Sequence, residues 1–160
     1  LFPILDFSLL KPRLHRWKFN LKTGVTSEED ICDQTIEFGV INQHVAGIEH
    51  RYTYSMIPTK GHFTFDGITK HDHQQNSLKK YIFPEHIFIS EVSFAPKTDS
   101  VDEDDGYLVT ISNNVSDKTS ACLLFDAQNI EEGPVGEIPL PHQICSGTHA
   151  TWAQKSDLLK

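Results

Sequence analysis

Residues 105–114 read Asp-Gly-Tyr-Leu-Val-Thr-Ile-Ser-Asn-Asn. Within this stretch Tyr107, Val109 and Ile111 alternate with their neighbours, and the run is bounded by the turn formers Asp105-Gly106 and Asn113-Asn114. Apolar spacing of two is the pattern of a half-buried β-strand, because successive side chains leave opposite faces of the pleat. Moving outward, the same grammar recurs. Trp17, Phe19 and Leu21 alternate with Arg16, Lys18 and Asn20, and Phe63 and Phe65 alternate across His62–Phe65. Lys22-Thr23-Gly24, Asp66-Gly67 and Glu132-Gly133-Pro134 supply the turns. No long amphipathic helix is legible, and the helix-compatible stretches, such as Ser27 to Gln34, are short. The reading is all-β.

A weak internal repeat organises these strands. Arg16–Gly24 (RWKFNLKTG), Ile68–Asn76 (ITKHDHQQN) and Leu123–Gly133 (LLFDAQNIEEG) each run strand, polar or acidic residue, turn. Aligning Asn20, Asp72 and Asp126 gives spacings of 52 and 54 residues. A period near fifty suits the four-stranded blades of a β-propeller, each a meander unable to bury its faces alone. A sandwich of similar hairpins fits the spacing equally well. On the propeller reading, 160 residues hold about three blades.

Composition excludes several functions. Fourteen Lys and Arg against 22 Asp and Glu give a net charge of −8. That balance argues against nucleic acid, since phosphate recognition needs clustered cations. The densest charge run, Asp99–Asp105 (DSVDEDD), lacks the regular spacing of a calcium-binding loop and is expected to be solvated. Cys32, Cys122 and Cys145 are odd in number and widely spaced, which is expected of reduced thiols in an intracellular, cytoplasmic protein. No apolar run approaches the ~20 residues of a membrane helix. The start at Leu1-Phe2-Pro3 rather than Met suits a processed domain or a truncated chain.

Several segments, in order, resemble the carotenoid cleavage oxygenase family, especially its bacterial lignostilbene-cleaving branch. They are Leu14–Gly24 (LHRWKFNLKTG), Ile36–Asn42 (IEFGVIN), Gly47–Tyr54 (GIEHRYTY), Gly67–Asp72 (GITKHD), Ser90–Pro96 (SEVSFAP), Glu103–Thr110 (EDDGYLVT), Gly133–Pro141 (GPVGEIPLP) and Ser146–Trp152 (SGTHATW). Each is unspecific alone; their order along nearly the whole chain is specific. The resemblance implies the C-terminal part, about three blades, of a seven-bladed β-propeller. Residues 1–160 would then form a partial propeller domain whose N-terminal blades lie upstream.

The resemblance also implies a function and a site. Family members split a C=C bond with O2 at an Fe(2+) held by four histidines. Three would lie upstream, and the fourth falls on His149. Imidazole is a good iron(II) donor, and four histidines leave two octahedral positions open. Without the resemblance, a lone histidine after Gly-Thr would be read as a surface residue. Glu37 and Glu91 match the glutamates that orient the iron histidines. A carboxylate accepting an Nδ1–H fixes the tautomer and strengthens the other nitrogen as donor. Taken alone, both read as ordinary strand glutamates.

The remaining histidines have plainer readings. His71-Asp72-His73 is expected at an exposed outer turn, although it has the look of a metal site. His44, His50 and His62 are read as structural, and His15 and His142 have no partner evident from sequence. One departure bears on substrate: Thr148 precedes His149 where many carotenoid-cleaving members carry Phe. A smaller, more polar cavity residue favours a stilbene or phenylpropanoid alkene over a long carotenoid, with an apocarotenoid still open. The expected partners are therefore a hydrophobic alkene and O2, with no transmembrane segment and room for peripheral membrane contact of the full-length protein. Two other functions stay open: a non-oxidative relative of isomerohydrolase type, and a catalytically dead propeller used as a binding module. The 160-residue piece alone is expected to be inactive.

Overall fold

The structure is a computed structural model that describes residues 6–145 and 147–158. Eleven strands carry the fold among these residues: β1 (His15–Phe19), β2 (Thr26–Asp30), β3 (Glu37–Val40), β4 (Tyr52–Pro58), β5 (Phe65–Asp72), β6 (Ser77–Ile82), β7 (Ile87–Ile89), β8 (Ser93–Pro96), β9 (Gly106–Asn114), β10 (Thr119–Asp126) and β11 (Pro134–Pro139). The one α-helical turn, α1, spans Lys155–Leu158.

The strands form antiparallel meanders. β3, β4, β5 and β6 pair in sequence order, giving one four-stranded blade. In the next blade β7 and β8 share the first position: both pair with β9, which pairs with β10, which pairs with β11. A single pair, Phe65 with Ile89, links the two blades. β1 and β2 form a separate hairpin. Two four-stranded meanders and a hairpin are what part of a propeller requires, so the propeller alternative, not the sandwich, is the observed arrangement.

The turn grammar is correct in detail. Asn20 Oδ1 accepts the backbone N–H groups of Lys22 and Thr23, Asp72 Oδ1 those of Gln74 and Gln75, and Asp126 Oδ1 that of Gln128. The three residues that mark the repeat thus make the same side-chain turn at the ends of corresponding strands. Arg51 grips Asp72 from the other side, Nη2 to Oδ2 at 2.7 Å, and holds its carboxyl down at about 2.

The core lies between blades. Tyr54, Met56, Phe65 and Ile68 of the first meander pack with Ile89, Phe94, Leu108, Leu123 and Phe125 of the second. Tyr54 stacks on Phe94 at 5.7 Å, and its hydroxyl donates to the Ala127 carbonyl at 3.1 Å. Phe83 and Tyr81 close on Phe125 at 5.8 and 5.3 Å in edge-on geometry. Each such fully buried side chain contributes roughly 1.5–3 kcal/mol of transfer free energy, which is why neither meander is independent of the other.

Three expectations need correction. In β9 the period of two holds but the phase is reversed: Leu108, Thr110 and Ser112 are buried, whereas Tyr107, Val109 and Ile111 are only partly covered. An inter-blade strand is packed on both faces, so its apolar residues need not share one. Trp17 and Phe19 lie in a genuine hairpin strand, and Leu21 in its turn. The stretch Ser27 to Gln34 is not helical; it begins in β2, whose acidic residues are tied to β1. The run Asp99–Asp105 is not simply solvated: Asp104 is buried and paired with Lys70, and Glu103 accepts the backbone N–H groups of Arg51 and Tyr52.

Candidate metal centre

Both candidate carboxylates sit at irregularities of a blade's first strand. In β3, Glu37 pairs with Met56 and Val40 with Tyr54, so Phe38 and Gly39 together oppose Ser55. In the second blade, Ile89 pairs with Ser112 and Ser93 with Val109, so Ser90, Glu91 and Val92 oppose only Thr110 and Ile111. One extra residue against the partner strand is a β-bulge, which bends the strand and re-aims its side chains. Phe38 carries the distortion with φ +51, a conformation seldom adopted by a bulky aromatic residue.

The second bulge holds the loop bearing His149 by two side chains. Ser90 Oγ accepts the Gly147 N–H at 3.0 Å, and Glu91 Oε2 accepts the Ala150 N–H. The backbone is thereby fixed on both sides of His149. The Glu91 carboxylate also lies 3.5 Å from His149 Nδ1 and is 11% exposed, whereas the imidazole is 73% exposed. Phe38 meets the same imidazole edge-on, ring centroids 5.5 Å apart. A ring with Nδ1 turned toward a carboxylate and its other nitrogen free is arranged as a metal-ligating histidine is.

Of the residues singled out in the sequence, Glu91 and His149 are therefore in direct contact. Glu37 adjoins them through its neighbour Phe38 and borders a cavity of about 210 Å³. Thr148 is exposed beside His149, and Ser146 of the same segment lies outside the described residues. Two further residues belong with the site: Ser90, which anchors the loop, and Phe38, which packs on the His149 ring. Both stand within the matching segments; Phe38-Gly39-Val40, standing where Phe-Pro occurs in many carotenoid-cleaving members, marks the first only as a departure bearing on substrate, and nothing marks Ser90.

The donor set fits one quarter of a four-histidine iron site. Among the described residues no group of three or more His, Cys, Asp or Glu is placed to hold a metal ion. His71-Asp72-His73 is not such a group, nor is it an exposed turn. His71 and Asp72 are the buried end of β5, and His73 is partly buried. Arg16 Nη2 approaches His73 Nδ1 at 3.2 Å, and an arginine only donates. His73 Nε2 therefore carries its proton and donates to Thr53 Oγ1 at 2.8 Å, leaving the hydroxyl to donate to His50 Nε2 at 3.3 Å. Burial first, then the neighbouring His71, His50 and Arg16 charges, push His73 down to about 4. His15 also has partners, Asp30 at 2.7 Å and Glu28 at 3.2 Å, which raise its pKa.

A family model described as "Retinal pigment epithelial membrane protein" matches residues 5–154. Among curated relatives, the carotenoid 9,10(9',10')-cleavage dioxygenase 1 of Phaseolus vulgaris is 28% identical over 159 residues, covering 91% of this chain and 29% of the relative. The lignostilbene-alpha,beta-dioxygenase isozyme III of Sphingomonas paucimobilis is 25% identical over 162 residues, covering 92% and 33%. Among solved structures, a cobalt-substituted form of the Synechocystis apocarotenoid oxygenase superposes with a TM-score of 0.87 at 25% identity, covering 96% of this chain and 33% of that one. The chain thus spans about a third of the length of the proteins it matches. With residues 5–154 matched by the family model and the propeller meanders in register, the chain belongs to the retinal pigment epithelial membrane protein family, the family of the carotenoid cleavage oxygenases.

Proposed function

We propose that the full-length protein is a non-haem iron(II) dioxygenase that cleaves the C=C bond of a hydrophobic alkene with O2, giving two carbonyl products. Residues 1–160 would be the part of its propeller that lacks the N-terminal blades. The observation that carries the reading is the pairing of His149 Nδ1 with the Glu91 carboxylate, inside a loop clamped on both sides of the histidine. The cobalt-substituted oxygenase relative and the dioxygenases among the relatives support it. Fe(2+), when bound, supplies the oxygen chemistry that amino-acid side chains lack.

The chain's own residues contribute orientation. Glu91 keeps the proton on His149 Nδ1 and leaves Nε2 as the donor. Ser90 and Glu91 fix the loop backbone, and Phe38 limits rotation of the ring from its flank. Glu37 is assigned to a ligand histidine contributed from outside this chain. Thr148, smaller than Phe and polar, leaves space beside the ligand for a stilbene or phenylpropanoid; an apocarotenoid is the second substrate class.

Metal analysis and product identification on the full-length protein test this, with a stilbene and an apocarotenoid supplied side by side. Aldehyde pairs with stoichiometric O2 uptake are expected, together with loss of iron and turnover in His149→Ala. Normal iron content and turnover in that variant would remove His149 from the ligand set. Carbonyl-free isomerised products would point instead to the isomerohydrolase type. The three unpaired cysteines favour a cytoplasmic location, and no helix among the described residues is long and apolar enough to cross a membrane. Cell fractionation at low and high salt tests that location and any peripheral membrane contact.

A further inference from the structure

The β1–β2 hairpin meets the first blade through side chains: among the described residues, no strand ladder joins it to β3–β6. By the repeat it corresponds to β5–β6, the outer half of a blade, since Asn20 turns β1 into β2 as Asp72 turns β5 into β6. We propose that this seam is a proton-operated latch, held shut by the neutral rings of His71 and His73 and opened when they are protonated. The latch does not depend on the dioxygenase reading.

Three imidazoles gather at the seam. The His73 ring lies 4.7 Å from that of His71 and 5.2 Å from that of His50, centroid to centroid and edge-on. Thr53 is the cross-strand partner of His71 and accepts from His73 at 2.8 Å, so these three side chains share one face of the blade. His71 is 2% exposed, and neither of its ring nitrogens meets a protein partner. A neutral ring tolerates that. An imidazolium would bury a charge together with two unpaired N–H donors. His73 accepts from Arg16 Nη2 through Nδ1, which only an unprotonated nitrogen can do. A proton there replaces an attraction across the seam with two donors face to face.

The carboxylates around the cluster are already engaged by other cations. Arg16, Glu29 and Asp30 of the hairpin line the cleft shared with His71 and His73. Arg16 and Lys18 of β1 both hold Glu29 of β2 at 3.2 Å. Asp30 is held by His15 at 2.7 Å and lies 3.6 Å from Arg13. Asp72, between the two histidines in β5, is taken by Arg51. Glu49, beside His50, is exposed. Burial therefore leads, and it lowers the pKa of both rings, with Arg16 adding to it and Asp72 opposing it. His73 titrates at about 4 in the closed seam and returns toward about 6.5 once freed. The open seam thus binds protons that the closed one does not, so acid favours opening. Two such rings make the response steeper than one proton would.

The test is hydrogen exchange of the full-length protein, read by mass spectrometry at about pH 7 and about pH 5 and corrected for the intrinsic pH dependence of exchange. The β1–β2 amides should exchange through an opening of their own, faster than those of β9–β10, and its equilibrium constant should rise at least about tenfold on acidification. Gln at position 73 keeps an acceptor for Arg16 and a donor for Thr53 but does not titrate. His73→Gln should therefore stay closed at neutral pH and cut the acid response to about threefold, and His71→Gln with His73→Gln should abolish it. Exchange of β1–β2 in step with β9–β10 at both pH values would mean that the hairpin leaves only on global unfolding, and would overturn the latch. A wild-type acid response in the double variant would overturn it equally. Should the double variant not fold, the wild-type protein decides: a rise in β1–β2 opening of less than about threefold excludes the latch.

Discussion

Glu37 and Glu91 occupy the same place in two successive blades, 54 residues apart, each at the bulge of the blade's first strand. That interval equals the spacing of Asp72 and Asp126, which turn the chain at the far end of those blades. The repeat therefore sets both the outer turn and the position that carries a carboxylate. A bulge weakens its ladder locally, and a Phe at φ +51 stores roughly 1–3 kcal/mol. Bulges kept at two equivalent sites, the second holding Glu91 against His149, are accounted for by the aiming of side chains.

If Glu91 orients His149, the two roles of its carboxylate should separate by substitution. Glu91→Gln retains an oxygen for the Ala150 N–H but loses the charge beside Nδ1; Glu91→Ala loses both. Loss of a carboxylate that orients a ligand histidine costs about 10–100-fold in metal affinity. In the full-length protein, iron affinity should fall within that range for Glu91→Ala and less for Glu91→Gln, measured by competition with a chelator. Equal wild-type affinity in both variants would remove Glu91 from the site.

Lys70 Nζ sits 2.6 Å from Asp104 Oδ2, the side chains 6% and 12% exposed, with Lys70 also 4.3 Å above the Tyr52 ring. Breaking such a pair leaves a buried charge alone and costs about 3–5 kcal/mol, whereas replacing both partners with apolar residues is often nearly neutral. Lys70→Met should therefore be strongly destabilising in urea unfolding, and Lys70→Met with Asp104→Leu should recover most of the loss. An additive double variant would show that the two charges do not act as a pair.

The chain around that ion pair marks where sequence reading succeeded and where it failed. Strand periodicity and turn chemistry are local, so Asn20, Asp72 and Asp126 were legible as turn residues. Burial in a propeller is set by the neighbouring blade, which local sequence does not encode. For that reason the β9 phase was reversed, and Glu103-Asp104-Asp105 looked like solvent-facing charge. Each of those three has a fixed partner: the Arg51 and Tyr52 amides, Lys70, and Lys97 at 2.9 Å. The candidate site was legible through the family resemblance alone. A histidine after Gly-Thr and two strand glutamates carry no local signal, and neither does Ser90 or Phe38.

The residue that completes the acidic run is explained by close approach. A Cβ on Gly106 would come within 2.8 Å of the Ala95 carbonyl oxygen and would collide with the Phe94 ring. A ring can shift, but a paired strand backbone cannot without breaking the ladder between β8 and β9. Gly106→Ala should cost about 1–3 kcal/mol, as overpacking does. Gly136, whose added Cβ would meet only Leu124 at 3.8 Å, is the control: Gly136→Ala should change the unfolding midpoint little.

Acid should loosen the contact between the hairpin and the first blade. His73 titrates near 4 in the folded chain and near 6.5 when unfolded. Between those values the unfolded state holds the proton and the folded state does not, so stability rises with pH across the window. As pH falls from about 6.5 toward 4, stability should decline by up to about 1.4 kcal/mol per unit, less where solvent screens the ring. Below about 4 the protonated His73 can no longer accept from Arg16, and the contact from the hairpin is lost with it. Asp72, held at about 2 first by Arg51 and also by the Gln74 and Gln75 amides, contributes in the same sense but lower, its stabilisation complete above about pH 4 and lost as pH falls through 2. His73→Gln should flatten the thermal-midpoint profile between pH 6.5 and 4 while leaving the steeper fall below pH 4 in place. A variant profile parallel to wild type throughout would exclude His73 as the titrating group.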